Sequence, residues 1–199
     1  MCIRDRDGVP RKSAKRFISV GSLGAGYLPS AVFGVFSAAQ KLIPGAELQL
    51  LTRTDRAKVD EFARAAGCDP AAIKVNSCQP HEVPGYLQNA DVGLCMIQPS
   101  FAKTASSPTK LAEYFACGVP TIANCAGIGD MTEIVTGNRT GADVTSLDTA
   151  GYEDAVRNLV ELMQDDKLSA RCRELAKSRF SLEVGVSRYA EIYSALTSQ

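Results

Sequence analysis

The segment richest in chemistry is Pro99–Lys110, reading PSFAKTASSPTK. No acid occurs between Asp91 and Glu113, whereas Lys103 and Lys110 both do. Ser106, Ser107 and Thr109 add hydroxyl donors. Ser107 has the side chain of a helix N-cap and Pro108 suits a first helical position, so a helix is predicted over Pro108–Ala116. A helix start offers unpaired N–H groups and a partial positive charge, which suit a phosphate. With two lysines beside it, the field favours a diphosphate. The plainer alternative is a well-capped helix carrying two solvated lysines. Glu113 follows Thr109 by four residues and Lys110 by three, and so shares their helix face. One helical turn is about 5.4 Å, which places this carboxylate near the ribose of a nucleoside diphosphate held at the helix start. A carboxylate can accept from both hydroxyls of a vicinal diol. Its alternative role is a surface pair with Lys110, worth a few tenths of a kcal/mol.

Four further post-strand segments carry candidates. Gly21-Ser22-Leu23-Gly24-Ala25-Gly26 follows a predicted strand, and its glycines permit close backbone approach to a phosphate or sugar. Gly21, Ser22 and Gly24 are therefore donor-site candidates, although a tight turn alone accounts for the same residues. The spacing is G-x-x-G-x-G rather than the dinucleotide G-x-G-x-x-G. Leu50-Leu51-Thr52-Arg53 stands where a nicotinamide-dependent oxidoreductase needs an acid, which disfavours that class. Arg53 either reaches a phosphate from the neighbouring strand end or is a solvated loop arginine. In Gly127-Ile128-Gly129-Asp130, Gly129 and Asp130 are placed to face a sugar, or Asp130 caps the next helix with Glu133 completing a capping box. Ser77-Cys78-Gln79-Pro80 follows the third strand.

The elements that must position these residues alternate. Strands are predicted at Phe17–Val20, Glu47–Leu51, Ile73–Val75, Val92–Ile97, Thr121–Asn124 and Ala142–Val144. Helices are predicted at Pro29–Leu42, Arg56–Ala66, Glu82–Asn89, Pro108–Ala116 and Asp130–Val135, then at Gly151–Gln164, Lys167–Ser178 and Leu182–Leu196. Strict β-α alternation means a parallel sheet with helices on both faces, a Rossmann-like α/β fold. Ligands of such sheets bind beyond the carboxyl ends of the strands, where all these segments lie. The last helix is amphipathic, with Val186, Tyr189, Ile192, Tyr193 and Leu196 available for burial.

Composition excludes several classes. The chain of 199 residues is 45% apolar and 22% charged, with 22 Lys+Arg against 22 Asp+Glu, so nothing marks a nucleic-acid or anionic-membrane binder. No apolar run reaches the roughly 20 residues of a membrane span, and no signal peptide is visible. Seven cysteines, an odd number with no C-x-x-C pair, point to free thiols and a cytoplasmic compartment. His81 is the sole histidine, which excludes a site built on several imidazoles. No metal is expected. Residues 1–15 are basic and aperiodic, and are expected to be disordered or non-native.

Ser107-Pro108-Thr109-Lys110-Leu111-Ala112-Glu113-Tyr114-Phe115-Ala116-Cys117-Gly118-Val119-Pro120-Thr121-Ile122-Ala123 resembles the E-A-x-A-x-G-x-P-V-V-A signature of group 1 glycosyltransferases with the GT-B fold. Gly21-Ser22-Leu23, Ala90-Asp91-Val92, Pro99-Ser100 and Arg179-Phe180-Ser181 fall in order around it. The likeness covers about Phe17 to Leu196, the carboxy-terminal half of such an enzyme. It implies a UDP- or GDP-linked sugar as substrate, with transfer under retention, no cofactor and no metal. Glu113 would hold the nucleotide ribose, and residues 77–80 would read the base. It further implies that residues 16–178 form the donor-binding domain and that 179–199 cross to an amino-terminal domain absent from this chain. That domain would supply the acceptor site, so the chain alone is expected to bind donor and transfer nothing. Peripheral membrane association of the full-length enzyme stays open. The pattern departs from the family at Ala105, where an acid usually stands eight positions before Glu113. The alternative is a donor-binding module that has lost its chemistry.

Overall fold

A computed structural model describes residues 14–24 and 26–197; most of the segment expected to be non-native, residues 1–13, lies outside them. Six strands form one all-parallel sheet: β1 (Arg16–Val20), β2 (Glu47–Leu51), β3 (Ile73–Asn76), β4 (Val92–Cys95), β5 (Thr121–Ala123) and β6 (Gly141–Asp143). Their spatial order is β3-β2-β1-β4-β5-β6. This is the doubly wound order, whose switch point lies between β1 and β4. The chain leaves those two neighbouring strands in opposite directions, which opens a crevice at their carboxyl ends.

The period of two along each strand distributes the core between the two faces. In β1, Phe17 joins the cluster under α1 (Pro29–Leu42), meeting Phe36 edge to face at 6.2 Å. Its neighbour Ile18 points the other way, into a smaller cluster with Leu51, Val83, Leu87, Tyr114 and Val119. That second face is covered by α3 (Val83–Gln88) and α4 (Thr109–Ala116). The remaining helices are α2 (Arg56–Ala65), α5 (Thr149–Leu162), α6 (Leu168–Phe180) and α7 (Leu182–Thr197). Asp91 fastens the start of the sheet. Its buried carboxylate accepts from the Arg16 amide at 3.0 Å and from the Arg16 guanidinium at 3.1 and 2.6 Å.

The structure departs from the expected elements in places that matter for the site. The run predicted as strand to Ile97 ends as a strand at Cys95. Residues 96–98 turn to the glycine loop instead: Leu28 N–H donates to Met96, Gln98 N–H to Gly26, and Tyr27 bridges Ile97 antiparallel. Asn124 falls just past β5 and bonds the backbone of Ile97 twice, each at 2.8 Å. The helix expected over 130–135 passes into a π-turn at Glu133–Gly137.

The α7 side chains Leu182, Val186, Tyr189, Ile192, Tyr193 and Leu196 stand between 55% (Ile192) and 77% (Leu182) exposed. No α7 side chain is buried. An apolar face of this kind is a patch for association. The chain should therefore enhance the fluorescence of a hydrophobic dye and self-associate with concentration. Tyr189→Ser with Ile192→Ser should suppress both. A monodisperse monomer silent to the dye would contradict this.

Candidate functional site

At the carboxyl ends of β1, β2 and β3 lies a cavity of about 490 Å³. Val20, Gly21 and Ser22 form one wall, and Leu51–Thr54 with Arg53 a second. Ser77, Cys78, Pro80 and Val83 form a third, and Glu113 enters from α4. The cavity thus gathers three post-strand loops and one carboxylate at the place where an open parallel sheet binds its ligand.

Glu113 is held by the residue after it. Tyr114 is fully buried; its hydroxyl accepts from Val20 N–H at 3.0 Å and donates to the Leu94 carbonyl at 3.3 Å. Gly93 admits the ring, since a Cβ there would overlap it. One tyrosine therefore fixes α4 to β1 and β4, and with it the height of Glu113 in the cavity. Burial pushes the Glu113 carboxyl above its ordinary range, and Lys110 draws it back.

Lys110 is only 8% exposed, which does not fit the plainer alternative of a solvated lysine. Its ammonium stands 3.9 Å from the ring centroid of Tyr27 and 3.7 Å from where a Gly21 Cβ would be. Among the described residues, no carboxylate forms an ion pair with it; Glu113 acts on it through space only. Burial pushes its pKa below the ordinary 10.5, with Cys95 and Glu113 opposing. Burial also pushes the Cys95 thiol up to about 11, so it remains protonated and supplies no counter-charge. A desolvated cation without a partner is costly, and an anion in the adjoining crevice would relieve that cost.

The start of α4 is open. The helix begins at Thr109, with Pro108 at the cap in extended backbone (φ −70, ψ 117) and no side-chain cap bond. Ser107 was expected to be the cap, but it lies one residue too early. The leading N–H groups of α4 therefore lack the side-chain oxygen that would compete with an anion. Ser107 and Thr109 are exposed, and Ser106 is half-buried.

The remaining candidates divide. Gly21, Ser22 and Arg53 line the cavity. The Gly24 amide is taken by the Ser22 hydroxyl at 2.9 Å. Lys103 approaches the glycine loop, its ammonium 3.8 Å from where a Gly26 Cβ would be. Gly129 has φ +44, and its N–H donates to the Lys103 carbonyl at 3.0 Å. A side chain at 129 would strike the Ser106 carbonyl. Gly129 is thus a packing glycine that seats the 103–106 segment. The capping box expected from Asp130 and Glu133 does not form: both carboxylates bind Arg179 of α6, each at 2.7 Å. Among the described residues no group of three or more His, Cys, Asp or Glu is placed to hold a metal ion.

Comparison with known proteins fits this geometry. The family model described as "Glycosyl transferases group 1" matches residues 14–162. The chain belongs to the group 1 glycosyl transferases. A comparison with curated proteins found no sequence match. Solved structures place this group 1 domain among GT-B folds at low identity. An S. aureus TarM mutant in complex with fondaparinux, alpha-GlcNAc-glycerol and UDP superposes with TM-score 0.72 at 10% identity, covering 97% of this chain and 38% of that one. Pneumococcal GtfA in complex with UDP and GlcNAc gives 0.62 at 16%, covering 94% and 37%. The C-terminal domain of a group 1 glycosyl transferase, LpcC from Francisella tularensis, gives 0.65 at 14%, covering 88% and 94%. The chain thus spans under half the length of larger relatives such as TarM, and nearly the whole of an isolated C-terminal domain.

Several residues of the site leave no mark in the local sequence pattern. Tyr27 meets α4 from a distance in sequence, and Tyr114, within α4, acts through distant partners on β1 and β4. Thr52, Thr54 and Val83 enter the cavity only because β1, β2 and β3 are neighbours. The alternation of strands and helices was the signal that could have found them, once the strand order was known.

Proposed function

We propose that this chain binds the nucleotide-diphosphate sugar donor, UDP- or GDP-linked, of a hexosyltransferase-like glycosyltransferase. The observation that carries this is the buried Lys110 ammonium without an ion-pair partner, beside an uncapped helix start and one turn from Glu113. The diphosphate sits over Gly21 and Ser22 against Lys110 and the first N–H groups of α4. Lys103 and Arg53 add positive charge from the two sides. Glu113 accepts from the ribose hydroxyls, and the base fills the wall of Ser77, Cys78, Pro80 and Val83. During transfer the bond between the sugar anomeric carbon and the β-phosphate oxygen breaks, and the acceptor oxygen bonds to that carbon, with retention. The charge developing on the leaving diphosphate meets donors already in place, which is where such donors act most strongly.

The acceptor site and any group that takes the acceptor proton belong to a second domain, and no metal is required. A cytoplasmic enzyme of surface-polysaccharide synthesis fits this donor class. Among the described residues no helix is long and apolar enough to cross a membrane. In this reading Gly129 and Asp130 would act on the sugar only through the 103–106 segment that Gly129 seats, since Asp130 is held by Arg179. Ala105, in the exposed turn Phe101–Ala105, supplies no acid there. That favours a second reading, a donor-binding module without turnover. Donor consumption by the full-length protein separates the two.

Calorimetric titration of the chain with UDP and GDP, beside their 2′-deoxy forms, tests the donor site. One ribonucleotide is expected to bind with saturation and the deoxy form about tenfold or more weaker, because a polar group built to bond a hydroxyl rejects its absence. Glu113→Ala should weaken the ribonucleotide and erase that discrimination. Equal binding of both sugars, or an unchanged Glu113→Ala, would remove Glu113 from the ribose.

A further inference from the structure

Lys110 is an exposed-type side chain carried into the interior, and something must hold its charge in place before any donor arrives. Among the described residues its charge meets one aromatic face, that of Tyr27, 3.9 Å away. An aromatic face carries negative charge density that attracts a cation, most strongly when both are desolvated. Lys110 is 8% exposed and Tyr27 is half-buried.

Tyr27 is itself fixed. Its N–H donates to the Gly24 carbonyl at 3.1 Å, and its backbone bridges Ile97. On either side, Leu28 N–H bonds Met96 at 3.2 Å and Gln98 N–H bonds Gly26 at 3.1 Å. Asn124 holds Ile97 in turn. The ring is therefore mounted on the exits of β1, β4 and β5 together. The groups that face the ammonium are Tyr27 and Gly21 from the loop after β1, Cys95 from β4, and Glu113 from its own helix. Cys95 holds its proton and Glu113 makes no ion pair with Lys110.

We propose that Tyr27 is a positioning residue for the donor diphosphate: its ring face presents the Lys110 ammonium, charged and in one place, to the crevice between Gly21 and the start of α4. The inference rests on the donor-site reading above. Without the ring, the buried ammonium would swing toward water or give up its proton, and the diphosphate would have to reorganise it on binding. The ring acts on the phosphate through Lys110 alone, so its loss should be felt by the diphosphate and not by the base or ribose.

The test uses Tyr27→Leu, which keeps apolar bulk and removes the ring, and Tyr27→Phe, which keeps the ring and removes the hydroxyl. Calorimetric titrations use whichever of UDP or GDP the wild-type chain binds, and the corresponding monophosphate. Tyr27→Leu should weaken the diphosphate about tenfold, within the range of a desolvated cation–π contact, and leave the monophosphate within about twofold. Tyr27→Phe should restore wild-type affinity. In a Lys110→Met background, Tyr27→Leu should add nothing, because the two residues act as one unit. A readout without ligand is the proton shift of the Lys110 ε-methylene, moved upfield by the ring in wild type and Tyr27→Phe and released in Tyr27→Leu. Equal weakening of both nucleotides, no rescue by phenylalanine, or a full effect in the Lys110→Met background would overturn the proposal while the donor site stands. An upfield ε-methylene in a folded chain that binds neither nucleotide would instead sink the donor-site reading, and this role of Tyr27 with it.

Discussion

Replacing Lys110 with methionine is expected to weaken the bound nucleoside diphosphate about 100-fold, the scale of losing a desolvated charge contact. The same change should raise the melting temperature of the ligand-free chain by about 2–4 °C, the shift that about 1 kcal/mol gives in a domain this size. The two effects have one cause. Folding strips water from the ammonium and gives it a ring face and no ion pair in return. Methionine fills a similar volume without that cost. The ligand supplies the missing counter-charge, so only the liganded state loses by the exchange. The pH dependence follows from the direction of the shift. The folded pKa of Lys110 lies below the unfolded 10.5, so at low pH both states hold the proton and the folded state carries the full penalty. As pH rises through the lowered value toward 10.5, the folded state sheds the proton first and the penalty disappears. The stability advantage of Lys110→Met should narrow across that window, and wild-type affinity for the diphosphate should fall across the same window. Scanning calorimetry and titration calorimetry at stepped pH read both. A methionine variant that melts lower and binds nucleotide as well as wild type would contradict the assignment.

What could be seen in the sequence and what could not divide by the range of the interaction. The parallel sheet was legible because its signal is repeated and local: each apolar run of strand length is followed by a helical period. Glu113 was legible for the same reason, since its relation to Thr109 and Lys110 is one turn of a single helix. Tyr27 was not, because a ring that meets Lys110 across the crevice leaves no mark in the spacing around either residue. Asp130 shows how a local pattern misleads. D-x-x-E is what a capping box requires, and it is equally what two carboxylates facing one arginine require. Arg179, brought up by α6, decided between them. The run 92–97 shows the converse. Met96 and Ile97 are as buried as strand residues, yet they pair with the glycine loop and not with the sheet. Apolar character reports burial and is silent about which backbone provides the hydrogen bonds.

The site depends on the fold most directly through Gly93 and Tyr114. Gly93→Ala is expected to destabilise the chain by about 2–4 kcal/mol, because its methyl group would enter the space of a fully buried ring. The ring cannot retreat freely. Its hydroxyl is bonded to Val20 N–H and the buried Leu94 carbonyl, and moving it takes this partner from both backbone groups. The strain should therefore pass into α4, tilting its start and lifting Glu113 from the cavity wall. Nucleotide affinity should fall with stability even though neither residue touches the ligand. Tyr114→Phe removes only the hydroxyl and is expected to cost about 1–3 kcal/mol. Combined with Gly93→Ala it should cost less than the sum, since a ring freed from Val20 and Leu94 can yield to the new methyl. Two residues in contact that share one strain are where such non-additivity appears. Chemical denaturation of the two single variants and the double variant measures the coupling. Strict additivity would mean that the ring is not what resists the methyl, and that α4 is seated by its other contacts.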